Sequence, residues 1–129
     1  MIKSESVNVC NLSYLSEMMG EKKSLIKEII DVFLIQVPEE LQSINQAITK
    51  TDYATIKNVA HTMKSSVSIM GISVLTPVLQ EMEDLGAMAA DGSTTLTTNI
   101  EKIKELNQKL NLICKQAMEE IEKEKHNYV

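Results

Sequence analysis

The sequence predicts an all-α protein: an antiparallel up-and-down four-helix bundle preceded by a short extra N-terminal helix. Three observations carry this. Apolar residues recur at three- and four-residue spacing along most of the chain, and no stretch alternates apolar and polar strictly enough for a strand. The 129 residues are 43% hydrophobic but only 3% aromatic, with no Trp, so the core must come from Leu, Ile, Val and eight Met. Two prolines and four glycines leave few turn signals, hence few connections between long elements.

The elements follow in order. Asn11 is placed to cap a short first helix carrying Leu12, Leu15, Met18 and Met19, which stops at Gly20. The second pattern runs through Leu25, Ile29, Val32, Phe33 and Gln36 to Leu41, Ile44 and Ile48, and Pro38 in its middle should kink it or divide it in two. Asp52 is a good N-cap for a third helix, which runs through His61 towards Gly71. Ser73 can cap a fourth, with Leu75, Val78, Leu79, Met82, Leu85 and Met88 on one side and Pro77 in the first turn, where proline is tolerated. Ala89 to Ser93 reads as a turn. The last helix carries Leu96, Ile100, Ile103, Leu106, Leu110, Ile113, Ala117 and Ile121, and its charged end, Glu119 to Lys125, is expected to fray or project. The chain reads as one domain over residues 1–129, with a core at about 11–115 and no internal repeat or low-complexity tract.

Several classes of function fit poorly. A net charge of −5 argues against a nucleic-acid partner, which requires a basic face to displace phosphate counterions. No apolar run approaches the ~20 residues of a membrane span, and the polar N-terminus is no signal peptide. Cys10 and Cys114 are isolated thiols, as in a reduced, cytoplasmic setting. The two histidines and two cysteines have no metal-ligand spacing, no Glu-x-x-His pair occurs, and the glycines stand alone, so neither a metal centre nor a phosphate loop is advertised. His126 lies in a charged tail and reads as a surface residue.

His61 is different. At about 100° per residue, Ile56, Val59, Met63, Val67 and Met70 form one stripe of the third helix, with Ala60 at its edge. On that wheel His61 lies about 140° from Ile56, beside Lys57, Lys64, Ser65 and Ser68, and no carboxylate shares the face. Imidazole is the side chain whose neutral, nucleophilic form is available near physiological pH. On rigid backbone, flanked by two cations and small hydroxyls, it suits accepting a negatively charged group. Lys64, one turn on, and Lys57, one turn back, can offset that charge, while Ser65 and Ser68 leave room for a partner. Gly71 ends the helix.

The run Ala60-His61-x-x-Lys64, with Gly71 following, resembles the histidine phosphotransfer (HPt) domain of bacterial and plant phosphorelays. Further likenesses are Leu25 to Leu41 with Phe33 and Pro38-Glu39, the turn Asp52-Tyr53-Ala54, and Leu79-x-x-Met82-Glu83-x-Leu85 followed by Gly86, so the resemblance spans roughly residues 11 to 115. One departure stands out: the family usually has glycine directly after the lysine, where this chain has Ser65. The resemblance implies a phosphocarrier with no ATP site or kinase activity of its own. It implies phosphorylation of His61 on Nε2 by an aspartyl phosphate of a receiver domain, with Lys64 stabilising the phosphoryl charge. The implied partners are a hybrid sensor histidine kinase and a response regulator, whose receiver domains supply the Mg²⁺. No cofactor of its own, no nucleic acid and no membrane enter this reading, and a bundle burying its own stripes is expected to be monomeric. Two rivals are the phosphoacceptor domain of a chemotaxis-type kinase and a helical adaptor without the chemistry. The initiating Met and polar C-terminus favour a complete small protein over the former, and Ser65 leans weakly to the latter.

Overall fold

A computed structural model describes residues 10–20, 22–90 and 96–125. These form α1 (Ser13–Met18), α2 (Lys23–Thr49), α3 (Tyr53–Ile69), α4 (Leu75–Ala90) and α5 (Leu96–Lys125), with no strand among the described residues. α3 packs between α2 and α4, and α5 packs on α4 and α2, which closes a four-helix bundle. The core is one aliphatic cluster with Phe33 its one buried aromatic ring among the described residues: Ile26, Ile30, Ile44, Ile56, Met63, Leu79, Met82 and Ile103 are all at 0–1% exposure. α1 adds Leu15, fully buried, to that core.

Four expectations change. Asn11 does not cap α1: Leu12 occupies the N-cap position without a side-chain hydrogen bond, and the Asn11 main-chain N–H donates to the Met70 carbonyl at 3.0 Å. Of the two outcomes expected at Pro38, a kink or a division, the division does not occur: α2 is helical from Lys23 to Thr49. The Pro38 ring sits on the exposed face, where the carbonyl deprived of an N–H partner can turn to water. Ala89 and Ala90 belong to α4 and not to a turn; residues 91–95, and His126 in the tail, lie outside the described residues. The charged end of α5 neither frays nor projects. It stays helical to Lys125, buries Ile121, and ties Lys125 Nζ to Asp31 Oδ1 of α2 at 3.1 Å.

The helix that carries His61 is bounded by two exact backbone requirements. At its start the Asp52 carboxylate accepts from Thr55 N–H (3.3 Å) and Thr55 hydroxyl (2.7 Å), which holds its carboxyl below the usual carboxylate range. At its end Gly71 adopts φ +67°, with Gly71 N–H bonded to Ser68 O and Ile72 N–H to Val67 O: the paired bonds of a Schellman motif. The end of α2 uses the same motif, Thr51 N–H to Ile48 O and Asp52 N–H to Ala47 O, but with a β-branched residue at φ +51°. A left-handed conformation costs an L-residue about 1–2 kcal/mol, while glycine's extra chain entropy recovers roughly half of that. Thr51→Gly should therefore stabilise the fold by about 0.5–1 kcal/mol, read as a higher urea midpoint; an unchanged or lower midpoint would count against strain at this turn.

Both cysteines are free thiols, Cys114 buried and Cys10 half-buried. Burial pushes the Cys114 thiol up to about 12 and raises Cys10 as well, so both stay protonated at neutral pH.

Candidate functional site

α3 is covered on two sides, so its buried arc is wider than one stripe. Ile56, Ala60, Met63, Val67 and Met70 are fully buried, and Val59 only partly. Ala60, placed at the edge by the wheel, is thus inside the buried arc. His61 follows it and points out, with 68% of its side chain exposed.

The site lies across the α3–α4 seam. Glu83 of α4 places Oε2 2.9 Å from His61 Nδ1 and Oε1 2.7 Å from Lys64 Nζ. Lys64 Nζ also donates to Gln80 Oε1 at 2.8 Å, and the Gln80 amide donates to Asp84 Oδ1 at 3.0 Å. Glu83 is only 20% exposed, and Lys64, with His61 adding to it, holds its carboxyl below the usual carboxylate range. Glu83 is then an acceptor only, so the proton in its short contact with His61 belongs to the ring. That fixes the tautomer: Nδ1 carries the hydrogen, and the lone pair of a neutral ring is on Nε2, directed away from the contact.

The other expected residues divide. Lys64 joins His61 through Glu83. Lys57 is exposed one turn back and forms no hydrogen bond or ion pair with a described residue; its main chain lies against Gly86 of α4. Ser65 lines a groove beside His61. Ser68 is exposed but does not line that groove; its carbonyl serves the cap at Gly71. Gly71 ends α3, as expected, and also admits the Asn11 main chain.

Two parts of the site were not visible on one helix. Glu83 and Gln80 come from a neighbouring element; the available signal was a carboxylate at the margin of the Leu79–Met82 apolar stripe, which must lie near an adjoining helix. The groove between α2 and α3 has a volume of about 450 Å³ and takes Ile29, Val32 and Phe33 from α2, Ser66 and Ile69 from α3, and Met70 just after it. Val32, 57% exposed, stands on its rim, and Ile35, 66% exposed, lies on the same helix. A second, polar hollow of about 350 Å³ shares Gln36 and Thr62 with the groove and adds Glu39 and Glu40.

Among the described residues no group of three or more His, Cys, Asp or Glu side chains is placed to hold a metal ion, and no helix is long and apolar enough to cross a membrane. Residues 28–123 match the family model of the Hpt domain, a span that includes His61, Lys64, Gln80 and Glu83. No curated protein and no solved structure matches the chain significantly.

Proposed function

The chain belongs to the Hpt domain family, whose role is phosphotransfer in two-component signalling, and on that premise we propose that it is a phosphorelay intermediate with His61 as its phosphoacceptor. It takes the phosphoryl group from a receiver-domain aspartate of a hybrid sensor kinase and passes it to a response regulator. It acts in the cytoplasm, with no ATP site or kinase activity of its own, and the Mg²⁺ belongs to the receiver.

The observation that carries this reading is the His61–Glu83 contact at 2.9 Å on a ring that is otherwise open to solvent. A nucleophile must be both reachable and in the right protonation state. With its proton on Nδ1, the ring attacks phosphorus through Nε2. The N–P bond forms as the P–O bond to the receiver aspartate breaks, and the electron pair leaves with that carboxylate. No proton has to move. The positive charge that develops on the phosphorylated ring faces the Glu83 carboxylate, which is already in place. Lys64, one turn from His61, is the cation available to the phosphoryl oxygens, and it can exchange Glu83 or Gln80 for them. Lys57 and the small side chains at Ser65 and Ser68 border the approach. The apolar groove beside the ring is the docking site for the receiver, because an exposed rim such as Val32 next to a reactive group is covered when the partner binds.

Incubation with phosphorylated receiver domains in Mg²⁺ tests the reading: acid-labile phosphate should appear on this chain and chase onto a second receiver. A well-folded chain that takes no phosphate from any receiver would overturn it and favour an adaptor. Lys64→Ala should keep the fold and slow transfer about tenfold, the worth of one charge-assisted hydrogen bond in the transition state. An unchanged rate with a cognate receiver would remove Lys64 from the mechanism.

A further inference from the structure

Gly86 is an unexpected residue in the interior of α4, since glycine is less favourable than alanine in a helix. Its surroundings explain it. A methyl group built there would lie 3.1 Å from Lys57 N, 3.2 Å from Tyr53 O and 3.3 Å from Lys57 Cα. All three are main-chain atoms of α3, which cannot rotate aside. On the same row of α3, Ala60 is fully buried and also small. The two helices therefore approach backbone to backbone at this level.

The register connects that approach to the site. Gly86 faces Lys57, Glu83 faces His61, and Gln80 faces Lys64. These are three successive rungs of one antiparallel pair, each about one helical turn apart. Glu83 thus stands one turn from the closest contact, on a rigid helix whose distance from α3 is set at that contact.

We infer that Gly86 is a positioning residue for His61: by letting α3 and α4 meet closely, it brings the Glu83 carboxylate within hydrogen-bond reach of Nδ1. The inference rests on reading His61 as the phosphoacceptor, but its structural half does not require phosphate. An alanine at 86 pushes the two main chains apart by a few tenths of an ångström, and the same displacement is felt at Glu83. The short contact lengthens, and the neutral ring is released to carry its proton on Nε2, where it blocks attack.

The test is ¹⁵N NMR of the His61 ring in the full chain, with phosphoryl uptake measured alongside. The wild type should hold its neutral ring with the proton on Nδ1. Gly86→Ala should move population to the Nε2–H form and slow uptake about threefold to tenfold, the net worth of one hydrogen bond. Glu83→Asp, which shortens the carboxylate's reach with no change at position 86, should shift the tautomer in the same direction. In a Glu83→Gln background, Gly86→Ala should cause no further slowing, because its effect runs through Glu83. An unchanged tautomer in either Gly86→Ala or Glu83→Asp would overturn the inference, as would equal slowing with and without Glu83. Should the wild type take up no phosphate at all, the phosphorelay reading fails, while the tautomer measurement still decides the role of Gly86.

Discussion

His61→Gln should leave the bundle folded and abolish acid-labile phosphate uptake. The two halves of that expectation have separate physical grounds. The His61 side chain is 68% exposed, and the Glu83 carboxylate it touches is also held by Lys64 at 2.7 Å. Removing the ring therefore strands no charge, and glutamine can still donate an amide N–H to Glu83. An exposed pair of this kind is worth about 1 kcal/mol or less, so the thermal midpoint should scarcely move. The chemistry is another matter. A carboxamide nitrogen has no available lone pair, and no neighbour among the described residues replaces the imidazole: Ser65 and Ser68 offer only neutral hydroxyls, and Lys64 is engaged with Glu83 and Gln80. Electrophoresis of labelled protein before and after acid treatment reads the result. Label retained by the variant, or acid-stable label on the wild type, would move the acceptor to another residue.

How much of this was legible in the sequence depends on whether the information was local. Both ends of α3 could be read because a cap is a short-range device: Asp52 needs only the N–H and hydroxyl of Thr55, and Gly71 needs only a left-handed φ. Helical periodicity placed Lys57, His61, Ser65 and Ser68 on the exposed side of that helix, as found, and Lys64 with them, although its side chain is only 23% exposed. Failures came where a neighbouring helix decides. Ala60 looked marginal on a wheel with one buried stripe, yet it is fully covered, on a helix packed between α2 and α4. Glu83 could not be assigned a role, since its two partners lie on a different helix and become visible only when α3 and α4 are in register. The run Glu119 to Lys125 looked like a solvated end by charge alone, but Ile121 anchors it and Asp31 pairs with Lys125. Pro38 was judged by the hydrogen bond it removes, whereas its exposed position lets α2 continue. Composition was informative about the core in bulk and uninformative about contacts across seams.

Gly71→Ala should be the most damaging single-methyl change in the described structure, because two independent penalties fall on one atom. Alanine at φ +67° pays for the left-handed conformation, about 1–2 kcal/mol. Its Cβ would also collide with the Asn11 carbonyl oxygen and lie 2.8 Å from Asn11 Cβ and 2.9 Å from Asn11 C. Two of those are main-chain atoms, held in place by the Asn11 N–H bond to Met70 O and by Leu15, which is fully buried four residues later. Overpacking against such atoms costs about 1–3 kcal/mol, so a total loss of about 2–5 kcal/mol is expected, read from urea unfolding. Gly71→Asn separates the two penalties, since asparagine tolerates the left-handed region but still brings a Cβ. If the conformation dominates, Asn will recover most of the loss; if the collision dominates, Asn will be no better than Ala. The second outcome is favoured by the geometry, because relief of the clash requires the segment at Asn11 to lift off the end of α3. Ile69 and Met70, which line the groove beside His61, sit at that end. A lifted segment would therefore be felt in receiver docking as well as in stability, with slower transfer from a receiver and unimpaired uptake from a small phosphoramidate donor. Equal slowing with both donors would instead mean that the damage reaches the ring itself.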